Sequence, residues 1–434
     1  MTGCSRTTGE QVPAVSGADS WVRVLFAVIA AIYILQLFVP DPFLGAARFD
    51  ESFYHLPTIR LFQQRGLVEA AKNYPSATTP LYHIIMAAVY GRIPDLWLRV
   101  AWVAVTLASG WLLYQHLLHD PRTAGSLAPI AVTIAFLASP TVRAAATYFV
   151  TDGLPLQLTI ASLFLLRRSN AESPSPSRVS AGAALVTAYA SFYARQYYLW
   201  VPMYVTHRLL SGCNRTGRAV VAAASAALLL PAVALFLTWG RATPPRVWEA
   251  HTGTDILNSV PTTLSFIGIF VLPAFALALR DLFSDWVYNR PAWARRAVLG
   301  GIGGLVVYVG LLLGAGFQIQ DYLGTILGAL KSFGLAGTIL FLVPSYCGLV
   351  VLVRWFAIDG RRQLWWIAFM LPFVASGYLC LRYFDPAVML FLFLVATPRD
   401  AERIARGRLV WFYPAFSVSY SVGRFLEMPP FTFG

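Results

Sequence analysis

Apolar runs of roughly membrane length, separated by short polar breaks, fill most of this 434-residue chain. A helix crossing the hydrocarbon needs about 20 consecutive apolar residues. Runs near that length lie at 21–40, 96–118, 127–149, 153–166, 179–194, 197–210, 219–239, 261–280, 297–317, 334–354, 363–381 and 386–397. The pattern predicts an all-α fold, a polytopic transmembrane helical bundle of about twelve spans. Residues 1–20 read as a polar, disordered cytoplasmic tail and 21–400 as the membrane domain. The C-terminal stretch, 401–434, reads as an interfacial or final transmembrane segment, its apolar run 409–423 interrupted by Pro414. After the first run comes Pro40-Asp41-Pro42 with no small-residue cleavage site, so the first helix is expected to stay attached.

The first two runs are separated by a long loop, 41–95. In it Phe53, Tyr54, Leu56, Ile59, Leu61 and Phe62 form an amphipathic stretch suited to lying along the bilayer surface. The run 81–93 is too short to cross and is read as an interfacial helix that returns to its own side. No internal repeat and no soluble domain stand out.

Composition narrows the class. The chain is 57% hydrophobic and 12% charged, with a mean hydropathy of +0.62, against about 25% charged residues in soluble domains. The net charge of +13 does not argue for nucleic acid, because the basic residues sit in short loops between apolar runs rather than on one face. With the N-terminus inside, 21 of the 33 basic residues fall on the cytoplasmic side, including Arg122, Arg167, Arg168, Arg354 and the group at 399–408. That orientation puts the 41–95 loop on the outer face. Lys72 and Lys331 are the only lysines, an arginine bias that favours a bacterial genome and hence the plasma membrane. In a eukaryote the counterpart is the endoplasmic reticulum membrane, with the site lumenal. Cys4, Cys213, Cys347 and Cys380 have neither metal-ligand nor disulfide spacing.

The chemistry-bearing residues gather on that outer face. Asp50 and Glu51 are adjacent acids at headgroup level, able to act as general base toward a hydroxyl or to coordinate a divalent metal, magnesium or manganese. His55 falls one turn after Glu51, on the same helical face. Lys72, Thr78, Thr79, Tyr82 and His83 close the loop with groups suited to a phosphate or a sugar, or simply form a turn before an interfacial helix. Asp152, before Gly153-Leu154-Pro155, is either a helix cap or a site acid. Arg195 and Gln196 interrupt an apolar stretch. A guanidinium at membrane depth marks a paired or functional site, its partner a phosphate or Asp152. Arg382 and Tyr383 stand at a late outer boundary, where a snorkelling arginine is the plain alternative.

With these residues assembled, the chain resembles the dolichyl-phosphate-glucose alpha-1,2-glucosyltransferase family, within the GT-C superfamily of polytopic glycosyltransferases. The resemblance rests on Phe49-Asp50-Glu51-Ser52-Phe53-Tyr54-His55-Leu56-Pro57, Thr78-Thr79-Pro80-Leu81-Tyr82, Tyr148-Phe149-Val150-Thr151-Asp152-Gly153 and Tyr193-Ala194-Arg195-Gln196, in that order. It covers residues 48–200 and is faint beyond, where Arg382-Tyr383 resembles a late element. The Thr-Thr-Pro element is shortened here, and Tyr197-Tyr198 replace the polar pair that follows Arg-Gln in the family. The resemblance implies that Asp50 and Glu51 carry the reaction. It also implies a hexose, glucose-like, moved by inverting displacement from a polyprenyl- or dolichyl-phosphate sugar to a hydroxyl of a lipid-linked or cell-envelope glycan. A donor that stays in the lipid needs no nucleotide motif, and no Walker A sequence occurs. No cofactor is called for with certainty. The expected partners are the prenyl-phosphate-sugar donor, the glycan acceptor and the bilayer. The alternative from another class is a polytopic lipid or glycan transporter, a flippase.

Overall fold

The computed structural model describes residues 18–38, 45–76, 78–169, 177–241, 244, 256–319, 330–376 and 379–426. Residues 1–17, Pro40-Asp41-Pro42 and the serine- and proline-rich segment 170–176 lie outside the described residues. So do residues 427–434.

Helices make up the whole described fold, and no strand occurs among the described residues. Five helices are long and apolar enough to cross a membrane: Asp95–His119, Arg215–Trp239, Ile256–Tyr288, Pro291–Gly314 and Gly334–Gly360. Two bent pairs raise the number to seven if each counts as one span. The protein is therefore an all-α membrane protein. Of the other apolar runs, the first forms the 21-residue helix Ala18–Phe38 and several more form shorter helices. Gly153–Ser169 and Arg178–Ala194 have 17 residues each, about 25 Å against a hydrocarbon core of about 30 Å.

The bends have local causes. The apolar run 127–149 divides at Ser139-Pro140 into α6 (Ala128–Ala138) and α7 (Pro140–Thr147), set 56° apart. Pro140 has no N–H to continue the helical ladder, and Ser139 Oγ accepts from the Val142 N–H at 3.4 Å, starting the second helix as an N-cap. Near the other terminus the helical stretch Leu381–Ala396 turns by 110° into α17 (Arg399–Arg406) after Pro398. The final run forms a helix too, α18 (Phe412–Leu426), which packs on α6.

The first loop folds as helices: α2 (Gly45–Asp50), a π-helical turn at Glu51–His55, α3 (Leu56–Lys72) and α4 (Leu81–Val89). Of its apolar residues Ile59 and Phe62 are buried and Leu56 and Leu61 half-buried, while Phe53 and Tyr54 are exposed, so the six do not share one environment. Gly66, at φ 73°, supplies the left-handed residue that breaks α3. Gln63 Nε2 donates to the Ala87 and Tyr90 carbonyls, at 3.1 and 2.7 Å, and joins α3 to the end of α4.

Elsewhere the bundle closes by small residues. In α12 (Ile256–Ser284) a Cβ added at Gly268 would lie 1.8 Å from the Pro344 carbonyl oxygen of α14 (Gly334–Val374). At Gly348 it would lie 2.7 Å from the Leu264 carbonyl oxygen. Backbone meets backbone there, the form of packing that lipid-embedded helices use in place of hydrophobic exclusion. Ser265 adds an interhelical bond to the Phe341 carbonyl at 2.9 Å. Helix α5 (Asp95–His119), 25 residues and about 37 Å long, runs from one end of this bundle to the other. Each of its ends carries a cluster of charges.

Candidate functional site

At the α5 end nearer Arg99, three carboxylate–guanidinium pairs meet. Asp50, last residue of α2, pairs with Arg382 at 2.5 Å. Glu51 opens the following π-helical turn and is held by Arg99 through both carboxylate oxygens. The Phe149 N–H donates to the same carboxylate at 3.3 Å. Asp152 and Arg195 form the third ion pair, both largely buried.

Aromatic faces stitch these pairs together. The Arg195 guanidinium lies 4.3 Å from the centre of the Tyr383 ring and that of Arg382 lies 5.4 Å from it. One tyrosine thus bridges the Asp152–Arg195 pair to the Arg382–Asp50 pair. Arg99 in turn lies 4.3 Å over Phe149. Since Asp50 and Glu51 are consecutive, all six charged side chains form one continuous array. Such stacking suits the delocalised guanidinium and leaves its edge free for oxygen acceptors.

The two acids differ in what they can do. Glu51 is 5% exposed and accepts hydrogen bonds from Arg99 and from a backbone amide, which makes it a pin between the loop and α5. Asp50 is half-buried, with 20% of its side chain exposed beside an Arg382 exposed to 29%. Asp50 is therefore the more accessible of the two acids.

Beneath the array runs a second network. His55 Nδ1 and His83 Nε2 lie 3.0 Å apart, His83 Nδ1 lies 2.5 Å from the Tyr74 hydroxyl, and that hydroxyl lies 3.2 Å from Thr78 Oγ1. Burial, with the fields of Arg382 and Arg195 added, pulls the His55 pKa down to about 3. Burial and the neighbouring His55 push His83 well below the ordinary histidine value. Both imidazoles are neutral at pH 7 and serve as hydrogen-bonding groups. Burial, then the negative field of Glu51, raises the Tyr82 pKa. Tyr82 packs edge-on to His83 and faces Trp102 at 5.7 Å between centroids.

Of the residues singled out from sequence, Asp50, Glu51, His55, Tyr82, Asp152, Arg195, Arg382 and Tyr383 come together here. Thr78 belongs to the histidine network. Thr79 donates to the Phe192 carbonyl at 2.8 Å and so ties the loop to α9 (Arg178–Ala194). Gln196 is half-buried at the start of the 3-10 turn after Arg195. Lys72 stands exposed at the end of α3 and forms no hydrogen bond or ion pair with the array among the described residues. Arg99 was the residue sequence reasoning missed, although an arginine one turn inside an apolar run is itself a signal. Tyr74 was missed as well. Asp385, 1% exposed, accepts from the Ser139 hydroxyl at 2.6 Å and docks the Arg382 segment on the α6–α7 break.

No group of three or more His, Cys, Asp or Glu side chains able to hold a metal occurs among the described residues. The acids of the array face guanidinia, a donor set that suits phosphate oxygens. Comparison with family models, curated proteins and solved structures found no match to the chain.

Proposed function

We propose that the protein is a membrane glycosyltransferase that moves a hexose from a polyprenyl-phosphate carrier to a hydroxyl of a lipid-linked or cell-envelope glycan. The twelve-span topology, with the array on the extracytoplasmic face, belongs to the same proposal. The observation that carries it is the Asp50–Arg382–Tyr383–Arg195–Asp152 array: a reachable carboxylate beside stacked guanidinia, in a membrane protein.

In the proposed reaction the donor phosphate enters beside Arg382, which exchanges its hold on Asp50 for the phosphate oxygens. Asp50 is then free to take the proton of the acceptor hydroxyl. The acceptor oxygen forms its bond to the anomeric carbon from the face opposite the phosphate. The bond to the phosphate oxygen breaks, and the electron pair leaves with the phosphate as an already stable anion, so no general acid is needed. Arg382 and Arg195 stabilise its charge, the kind of electrostatic contribution that usually dominates. Glu51 and Arg99 hold the loop in register, and His55, neutral, offers a hydrogen bond to the sugar.

The deciding experiment uses membranes holding the full chain, a labelled prenyl-phosphate hexose and extracted glycolipid acceptors. Asp50→Asn should insert normally and lose about 10²–10⁴-fold in transfer, the usual contribution of a positioned base. Unchanged transfer removes Asp50 as the base. The transporter reading keeps one observation in its favour, the break at Ser139-Pro140 within an apolar stretch. Movement of labelled lipid across vesicles without any bond to the hexose being made would select it.

A further inference from the structure

At the opposite end of the bundle a groove of about 570 Å³ lies between the C-terminal end of α12 and the turn that follows α17. Arg280, Arg403, Arg406 and Arg408 wall it, with Leu277 and Leu409 as its apolar lining. We propose that this groove binds the phosphate group of an anionic membrane lipid.

The charge balance is the first argument. Arg403 is held by Asp281 through two bonds of 2.7 Å. Arg280, Arg406 and Arg408 are exposed, and none of them forms an ion pair among the described residues. Three guanidinia facing one concavity repel each other, and an anion between them relieves that repulsion. Their planar forks match phosphate oxygens two at a time.

Shape and depth are the second. An arginine-rich loop that only orients a chain across the bilayer needs no groove. Here α17 turns through 110° from the apolar helix before it and so lies across the bundle end. Just beyond, Trp411 is 41% exposed, as is usual for a ring resting at the lipid–water interface, and Leu279 on α12 is 50% exposed. A free anion needs only the arginines. The apolar side chains of Leu277 and Leu409 within the same groove fit a ligand whose phosphate is followed by hydrocarbon. Basic pockets at helix ends on one membrane face recognise lipid headgroups by this combination. The inference is independent of the glycosyltransferase reading, since it involves no residue of the Asp50 array.

The test is melting of the purified full chain in neutral detergent, followed by tryptophan fluorescence, with phosphatidylglycerol, phosphatidylcholine or inorganic phosphate added. Phosphatidylglycerol should raise the midpoint and phosphatidylcholine should not. The double variant Arg406→Gln/Arg408→Gln should melt like the parent without lipid, because both side chains are exposed and unpaired. It should bind phosphatidylglycerol tenfold or more weakly, on the order expected for two surface arginines. Arg295→Gln/Arg296→Gln, exposed on another helix, should keep the full response. An equal response to both lipids overturns the proposal, as does a response that survives the double variant. Inorganic phosphate alone reproducing the full shift would make it a free-anion site and defeat the lipid assignment.

Discussion

Where α5 begins, six charged side chains close into three pairs with little solvent. Where it ends, charges are looser and unequal in number. In the first array Arg195 and Asp152 keep only 7% and 12% of their side-chain exposure, and Glu51 keeps 7%. Beyond the second end, Asp120 pairs with Arg122, which donates to the Thr397 hydroxyl ahead of α17. There Asp281 binds Arg403, with each side chain 36% exposed. Arg354 and Asp400 join them at 3.4 and 3.6 Å, and the Trp355 ring N–H donates to Asp400 at 3.0 Å. The first end is a balanced array, largely buried and open at Asp50 and Arg382, and the second a basic cluster whose arginines are more solvated. Burial makes the difference: charges withdrawn from water must be matched one for one, whereas wet charges need not be.

The strongest way to break this comparison is to leave one buried charge alone. Arg195→Ala strands the largely buried Asp152 carboxylate and should destabilise by about 3–5 kcal/mol, the usual penalty for halving a buried pair. Unfolding in detergent measures it. Replacing both partners together, Arg195→Met with Asp152→Leu, should recover much of that loss, because no unpaired charge remains. A double variant as unstable as the single would mean that stacking on Tyr383, not charge, holds the array.

Acid sharpens the same contrast by an amount that grows with each pH unit, and stays below the loss from Arg195→Ala down to about pH 4. His55 titrates near 6.5 when unfolded and near 3 when folded, so between those values the unfolded chain binds a proton that the folded chain refuses. Stability is complete above about pH 6.5 and falls as pH drops toward 3, by up to about 1.4 kcal/mol per pH unit for each such group. His83, depressed in the same direction, steepens the fall. His55→Gln should flatten the decline between pH 6.5 and 4, read as the melting midpoint against pH. A parent and a variant with superimposed profiles would deny the buried, neutral state of His55.

Much of this layout is legible in the sequence, for reasons that also explain where it is not. The apolar runs 96–118 and 219–239 became Asp95–His119 and Arg215–Trp239 because hydropathy and helix length follow the same 20-residue demand. The run 127–149 gave no warning of its bend, since apolar composition continues through Ser139-Pro140 and only the cap chemistry marks the break. Runs 334–354 and 363–381 were separated correctly in sequence, and Asp359, at φ −147° and ψ 66°, is the break inside the continuous helical stretch. Asp152 with Arg195 was among the pairings the sequence allowed. Glu51 with Arg99 was not, because the partner lies 48 positions away on another helix and pairing across a bundle leaves no periodic trace. Lys72 illustrates the converse: a cation close in sequence to the array that the fold leaves exposed.

The smallest expected effect is at the wet end, and it decides whether burial alone separates the two clusters. Arg403→Ala removes the guanidinium that Asp281 holds with two hydrogen bonds, geometry as good as any in the first array. If geometry set the energy, the loss would rival that of Arg195→Ala. If exposure sets it, water takes over the freed carboxylate, Arg354 at 3.4 Å remains as a partial partner, and the loss stays within about 1 kcal/mol. Salt separates the two cases further. An exposed pair is screened over about 8 Å at physiological ionic strength, so the small difference between parent and Arg403→Ala should vanish in concentrated salt, while the Arg195→Ala difference should persist. A large, salt-insensitive loss at Arg403 would show that the second end is as buried in the membrane as the first.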